Sequence, residues 1–246
     1  MISPYQPDLS LAGKVRRRLT RLTHRRPAQL ALTRPTVTIS FDDIPATAAH
    51  AGAAVLEHRG VRGVFYVCAG LFGREGHMGR FADADEIGSL AERGHEIAGH
   101  TFDHIDCHRS APAALASDLD ANDAALARFS ASSHFAFPYG EVGPRAKRLL
   151  KDRYATLRGV HKGVMRHGDD LNQMPGVGLE GDEGEMTARA WIDRAVQQNA
   201  WLILYTHDVR PTPSPWGCTP EALAAVVDHA IASGCDIRTI SQVLAT

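Results

Sequence analysis

The chain has 246 residues, of which 44% are apolar, and a formal charge of −1 at pH 7. This length suits one large domain, and α/β barrels commonly reach it as a single domain. No apolar run is long enough to span a membrane, and the near-zero charge gives no overall attraction to nucleic acid. We therefore expect a globular domain with a substantial core, neither membrane-spanning nor nucleic-acid-binding.

Residues 1–13 show no cationic segment followed by an apolar core, so they do not resemble a secretory signal. The four cysteines form no CxxC pair, which is compatible with free thiols in a reducing compartment. We expect a cytoplasmic protein in which Cys68 and Cys107 are buried apolar filler.

Residues 14–26 carry seven basic side chains among apolar ones at helical spacing. The pattern predicts a short amphipathic basic helix that Pro27 brings to an end. We favour packing of this arm on the outside of the domain or on a partner subunit. Attraction to an anionic membrane surface that carries a lipid-linked substrate is a second interpretation. Nucleic-acid binding comes third, because aromatic stacking residues and a motif are lacking.

From Thr36 onward, strand-like and helix-like segments alternate. Such alternation predicts βα units on a mostly parallel sheet, and six or more units in one chain suggest a barrel. The predicted strands are 37–41, 63–67, 96–99, 134–137, 154–157, 201–206 and 236–238. The predicted helices are 46–59, 84–93, 111–129, 144–151, 188–198, 220–233 and 240–244, and residues 159–184 form an irregular glycine-rich stretch.

Polar side chains follow four of the predicted strands. His100 and His104 follow strand 96–99 and would share one face of a helix if the chain turns helical there. Two imidazoles and a carboxylate are typical of a catalytic zinc site, which keeps one position for water. The carboxylate donor would be Asp42 or Asp43, directly after strand 37–41. Because catalytic groups gather at the C-terminal strand ends of a βα barrel, we expect one site there.

Four motifs in this order resemble those of the NodB-homology polysaccharide deacetylases, carbohydrate esterase family 4. The resemblance covers about residue 36 to the C-terminus and implies a distorted, often incomplete, TIM-like (β/α) barrel at 35–246, preceded by the basic arm at 1–34. It also implies metal-assisted hydrolysis of the N-acetyl group on N-acetylglucosamine units. The motifs are Ser40-Phe41-Asp42-Asp43, His100-Thr101-x-x-His104, Phe135-Ala136-Phe137-Pro138-Tyr139-Gly140 and Leu204-Tyr205-Thr206-His207.

The resemblance implies that Asp43, His100 and His104 bind one divalent metal. Zinc is the first expectation, with cobalt or nickel as alternatives for such a donor set. A divalent ion polarises the acetyl carbonyl and lowers the pKa of water toward neutrality. Asp42 would then be the general base and His207 the general acid.

The third motif implies an oxyanion donor, the backbone N–H of Tyr139, which follows Pro138 in the pocket wall. Trp216 in the proline-rich loop after His207 would either stack on a sugar ring or pack beneath the loop. Simpler interpretations also exist for two motif residues. Asp43 could cap a helix that begins near Pro45, and His207 could be a core histidine.

The sequence departs from the family pattern at Ala136, where the family commonly has an arginine that orients the base. Arg158, at the next strand end, is our candidate replacement in the pocket, and an ordinary loop arginine is the alternative. The family's fourth motif, which supplies a bracing aspartate, is not recognisable in 159–180. Asp208 is adjacent to His207 but would point to the opposite face of a continuing strand.

We expect a metal-dependent N-deacetylase that acts on an N-acetylglucosamine polysaccharide or its lipid-linked precursor, in exopolysaccharide or adhesin biosynthesis. One alternative is hydrolysis of a small or cyclic amide at the same metal site. The other is a non-catalytic glycan-binding domain, which Ala136 favours and which retention of Asp42 and His207 disfavours.

Overall fold

The computed structural model describes residues 10–245. The strands are β1 Thr36–Asp42, β2 Val64–Val67, β3 Glu75–Gly76, β4 Gly79–Arg80, β5 Glu96–Gly99, β6 His134–Ala136, β7 Thr156–Arg158, β8 Val177–Gly178, β9 Trp201–Thr206 and β10 Asp236–Ile237. The α-helices are α1 Leu11–Thr20, α2 Ala53–Glu57, α3 Ala84–Glu92, α4 Pro112–Leu126, α5 Pro144–Leu150, α6 Gly184–Gln198, α7 Pro220–Ala232 and α8 Ile240–Leu244. A π-helical turn, Ala48–Gly52, leads into α2.

Eight strands form one sheet in the order β7-β6-β5-β2-β1-β9-β8, with β10 beside β1. Their pairings are parallel, while β3 and β4 form a separate antiparallel hairpin. The sheet curls until its edges approach, because Arg158 of β7 forms a bridge with Met174, three residues before β8. The predicted incomplete (β/α) barrel is therefore confirmed.

Strand β1 shows how the sequence places the site. All seven residues are buried, which is expected of a parallel strand covered on both faces. Val37, Ile39 and Phe41 pack with the outer helices in the largest core cluster. Thr38 and Ser40 point the other way, where Thr38 accepts a hydrogen bond from the Trp201 indole at 2.9 Å. Because strand side chains alternate, the next residue on this inner row is Asp42.

The helices begin where the sequence signals predict. Thr219 caps α7 by accepting a hydrogen bond from the Ala222 N–H, and Pro220 occupies the first helical position. Asp83 and Glu86 form a capping box at the start of α3. These local signals explain why α3, α4, α5, α7 and α8 begin within one residue of their predicted starts. Helix α6 begins four residues earlier than predicted, and the helix predicted at 46–59 starts as the π-helical turn at Ala48.

The basic arm differs from its prediction. Helix α1 ends at Thr20 rather than at Pro27, and the chain then turns through His24, whose φ is 48°. The division into arm 1–34 and barrel 35–246 stays a prediction, and residues 1–9 and Thr246 lie outside the described residues. The expected absence of a secretory signal in 1–13 falls largely on that undescribed segment. Between residues 10 and 245, no helix is both long and apolar enough to cross a bilayer.

Two sheet elements were not predicted, and one was shifted. Strand β8 lies within the stretch expected to be irregular, and the β3–β4 hairpin gave no strand pattern because each arm has only two residues. Strand β7 was expected at 154–157 but spans Thr156–Arg158. Arg158 is therefore part of strand β7, and the pairing of β7 with β6 fixes the position of Arg158.

Candidate active site

The candidate site lies at the C-terminal ends of β1, β5, β6 and β9. Five non-glycine residues in the turns after β1, β5 and β6 have positive φ: Asp43 (59°), Ile44 (56°), Thr101 (65°), His104 (53°) and Tyr139 (60°). Left-handed conformations of this kind cost about 1–3 kcal/mol each and persist only where the surroundings enforce them. Their concentration in three turns at the same end of the barrel is typical of a functional site.

His100 and His104 converge without a helix, so the predicted helical geometry is wrong. Residues 100–111 form a loop, which folds back through the positive φ of Thr101 and His104. The two imidazole centroids lie 5.2 Å apart. Asp118 of α4 holds this loop by accepting hydrogen bonds from two of its backbone N–H groups, at 2.7 and 3.1 Å.

The Asp43 carboxylate lies between the two imidazoles. Its Oδ1 is 3.2 Å from His100 Nε2 and 3.1 Å from His104 Nε2. This oxygen is buried and has no hydrogen-bond partner among the described residues. Burial opposes ionisation, but the charge of His104 and the polar contacts with both imidazoles outweigh it and hold the pKa of Asp43 well below its usual value. The carboxylate is therefore ionised at neutral pH.

These three side chains fit a divalent metal ion. Ligand atoms around one tetrahedral zinc ion lie roughly 3.4 Å apart, which is close to the separations from Asp43 Oδ1. His100 Nδ1 lies 2.8 Å from the Ala136 carbonyl oxygen, a contact that orients the ring and directs Nε2 toward Asp43. The buried Asp43 oxygen and the two imidazole nitrogens are the donor atoms that such an ion requires.

Cys68 lies closer to this cluster than the sequence suggested. Its Sγ is within 4.8 Å of a donor atom of Asp43 and of His100. However, the thiol donates to the His100 carbonyl oxygen at 2.9 Å, and burial raises its pKa well above the usual value. Cys68 is therefore a neutral thiol that supports the backbone of His100.

Asp42, the predicted base, is held by Arg158. The Arg158 Nη2 donates to both carboxylate oxygens of Asp42 at 2.5 Å, and both side chains are almost fully buried. β7 lies four strands from β1 in the sheet order, so this contact crosses the barrel interior. The guanidinium is sandwiched between two aromatic rings, 4.9 Å from the centroid of Tyr66 and 5.0 Å from that of Tyr205.

The register of the sheet explains how Arg158 reaches this position. Ala136 of β6 and Arg158 of β7 are directly paired. Arg158 therefore enters the barrel interior at the same level as Ala136, one strand further along. The guanidinium that the family commonly takes from position 136 comes here from the neighbouring strand.

His207 follows β9, and its partner is Glu180, to which the sequence assigned no individual role. His207 Nδ1 lies 3.2 Å from Glu180 Oε1 and 3.1 Å from the Trp216 carbonyl oxygen. Both neighbours are acceptors, so Nδ1 carries a proton and Nε2 is left to exchange one with a substrate. Burial alone would lower the pKa of His207, but the Glu180 contact and the charges of Asp43 and Asp42 raise it to about 9. The imidazole is thus protonated near neutrality, as a general acid must be.

Asp208 points away from the site, as strand alternation predicts. Its carboxylate accepts hydrogen bonds from the N–H of Ser214 at 2.9 Å and from the Ser214 hydroxyl at 2.5 Å. Arg210 Nε lies 2.7 Å from the same carboxylate. Asp208 therefore stabilises the proline-rich loop. The carboxylate that contacts His207 is that of Glu180, not that of Asp208.

Two further predicted residues lie at the rim. Pro138 is buried and opens the turn Pro138–Gly140, in which Tyr139 packs its ring on His104 with centroids 4.5 Å apart. Trp216 is 42% exposed and meets His77 of the β3–β4 hairpin edge-on, at 4.9 Å between centroids. The structure thus presents Trp216 to solvent rather than beneath its loop.

Comparison with known proteins agrees with this geometry. The sequence model of a family described as polysaccharide deacetylase matches residues 30–156, just over half of the chain. No curated protein sequence matches the chain.

Solved structures show the same fold at low sequence identity. A protein from Mycobacterium smegmatis described as a candidate polysaccharide deacetylase superposes with a TM-score of 0.67 at 17% identity, covering 90% of this chain and 94% of that one. The chitin deacetylase of Colletotrichum lindemuthianum superposes with a TM-score of 0.64 at 16% identity, covering 89% of this chain and 91% of that one. IcaB from Ammonifex degensii superposes with a TM-score of 0.50 at 19% identity, covering 56% of this chain and 65% of that one.

The family match confirms the resemblance that the four motifs predicted, and the structural neighbours confirm the barrel. It also confirms the expected class of enzyme, a hydrolase of the deacetylase kind. The chain belongs to the polysaccharide deacetylase family.

Proposed function

We propose that the protein is a metal-dependent N-deacetylase that removes acetyl groups from N-acetylglucosamine units of a polysaccharide. The observation that carries the proposal is that three side chains, each held by its own partners, lie together at one end of the barrel. Asp42 is held by Arg158, Asp43 lies between two imidazoles, and His207 is held by Glu180. A deacetylase needs a base, a cation site and an acid in this arrangement.

Asp43, His100 and His104 would hold the ion, zinc first, which when bound polarises the acetyl carbonyl and makes water more acidic. Asp42 accepts a proton from the attacking water as the new C–O bond forms. The N–H of Tyr139 donates to the acetyl oxygen as negative charge develops on it. His207 Nε2 then protonates the amide nitrogen as the C–N bond breaks. The products are acetate and a free amine on the sugar.

The placement of Arg158 weakens the case for a non-catalytic glycan-binding domain. Ala136 was its main support, because alanine cannot orient a base. Here the guanidinium reaches Asp42 from β7 instead, and a domain that only binds sugars has no need of a buried cation on that carboxylate. Hydrolysis of a small or cyclic amide keeps the same three groups and differs only in the substrate.

The biological setting is also a proposal. Synthesis of an exopolysaccharide or adhesin in the cytoplasm, on a lipid-linked precursor, suits the four buried free cysteines, which favour a reducing compartment. The similarity to a chitin deacetylase supports an N-acetylglucosamine polymer as substrate.

A substrate panel tests the reaction class. The zinc-loaded protein is incubated with chitooligosaccharides, with an O-acetylated xylan and with a cyclic amide such as a hydantoin, and products are identified by mass spectrometry. We expect loss of acetyl groups from the chitooligosaccharides, with none in the Asp42→Asn control. Turnover of the cyclic amide alone, or of the ester alone, would contradict the proposal.

A further inference from the structure

Helix α1 contacts the barrel with its polar face. Gly13 and Thr20 of this helix are buried and lie on that face. Arg16 and Arg17 each approach a carboxylate oxygen of the buried Glu141 to 3.4 Å. Charged and small groups, rather than the leucines, therefore attach α1 to the domain.

The opposite face of α1 presents apolar side chains to solvent. Leu11, Val15 and Leu19 are 78%, 49% and 54% exposed, and Leu22, in the turn that follows, is 70% exposed. At 3.6 residues per turn these positions fall within about 80° of arc, roughly opposite Gly13 and Thr20. An amphipathic helix on a globular domain normally buries its apolar stripe. Here the stripe faces outward.

Positive charge borders this stripe. Arg18 and Arg21 are exposed and fall beside the stripe at helical spacing, whereas the whole chain has a net charge of −1. Apolar side chains flanked by arginines suit the interface of an anionic bilayer, where the apolar groups enter the acyl boundary and the arginines meet lipid phosphates. A second copy of the chain fits less well, because a two-fold interface on this helix would bring Arg18 and Arg21 of both copies together.

This surface adjoins the candidate site. Glu141, the partner of Arg16 and Arg17, directly follows the turn Pro138–Gly140, and Tyr139 in that turn packs on His104. Val160, 36% exposed, covers Gly140 beside the same turn. A lipid surface in contact with α1 would therefore lie next to the rim of the pocket.

We propose that the outer face of α1, formed by Leu11, Val15, Leu19 and Leu22, docks on an anionic lipid bilayer. Docking holds the pocket beside the membrane surface, where a lipid-linked glycan presents its acetylated sugars. The choice of glycan rests on the proposed function, whereas the docking itself does not.

Vesicle flotation with the full 246-residue chain tests the docking without using enzyme activity. Vesicles contain either phosphatidylcholine alone or phosphatidylcholine with an equimolar share of phosphatidylglycerol. We expect the protein to float with the anionic vesicles only, and the Leu19→Ser/Leu22→Ser variant to partition at least roughly tenfold less. The Arg18→Gln/Arg21→Gln variant should lose the preference for anionic lipid.

The matched control is Met186→Ser/Ile231→Ser, which removes two apolar side chains of comparable exposure, 65% and 46%, from other helices. This control should float like the parent protein. Absence of parental flotation, equal loss in the control, or a leucine-dependent dimer in light scattering without flotation would overturn the proposal. Release of acetate from soluble chitooligosaccharides should be equal in all these proteins, so a failure of docking is distinct from a failure of the proposed function.

Discussion

Removal of the Arg158 guanidinium should separate base orientation from metal binding. The Arg158→Met variant keeps the length of the buried side chain but leaves the Asp42 carboxylate in the barrel interior without its cation. Breaking one side of a buried pair costs about 3–5 kcal/mol of stability. Loss of an oriented general base costs on the order of 10²–10⁴ in kcat.

Acetate release gives kcat, thermal unfolding gives stability and metal analysis gives zinc content, which should stay unchanged because the ligands are intact. Arg153→Met is the matched control, since Arg153 pairs with Asp120 and Asp123 away from the site. Adding Ala136→Arg to Arg158→Met should restore part of kcat, because position 136 is directly paired with 158. A kcat unchanged in Arg158→Met would refute the role of this arginine.

A double variant tests whether the stability loss in Arg158→Met comes from the unpaired Asp42 charge. In the Asp42→Asn/Arg158→Met double variant no buried charge is left uncompensated, so the unfolding free energy should exceed that of Arg158→Met alone. Activity should stay absent. If the double variant is less stable than Arg158→Met, the loss comes from packing around the two tyrosine rings rather than from the charge.

Three further predictions concern the other site residues. Glu180→Gln removes a partner that raises the pKa of His207, so the alkaline limb of kcat/KM, where the acid loses its proton, should move to lower pH; an unmoved limb would contradict the Glu180 contact. Asp42→Asn should abolish turnover with zinc still bound, whereas His100→Ala should lose both, as metal analysis of the purified proteins would show. Trp216→Ala should raise KM by about fivefold with little effect on kcat or unfolding temperature, and a large loss of stability would indicate a packing role instead.

The sequence predicted the positions of the site groups because strand alternation and strand ends are local properties. Asp42 falls on the inner row of β1, and Arg158 was placed at the end of the strand next to Ala136. The spacing of His100 and His104 predicted a helix, but backbone torsions in the left-handed region bring the two rings together instead. Spacing alone does not distinguish these geometries.

Two features depended on contacts distant in the sequence. Glu180 follows β8, a two-residue strand with too few residues to show a period, and its contact with His207 joins segments that no local pattern connects. The orientation of α1 was not predicted either, because the sequence pattern does not show which face of the helix contacts the barrel. The ion pairs with Glu141 determine which face contacts the barrel.

The most direct test of the account is acetate release from chitooligosaccharides by the purified protein, measured after chelation and again after zinc is restored. We predict no release from the chelated protein, recovery on addition of zinc, and no recovery when Asp42 is replaced by Asn. Release that persists without metal, or its absence in protein shown to contain zinc, would contradict the assignment of this site as a metal-dependent N-acetylglucosamine deacetylase.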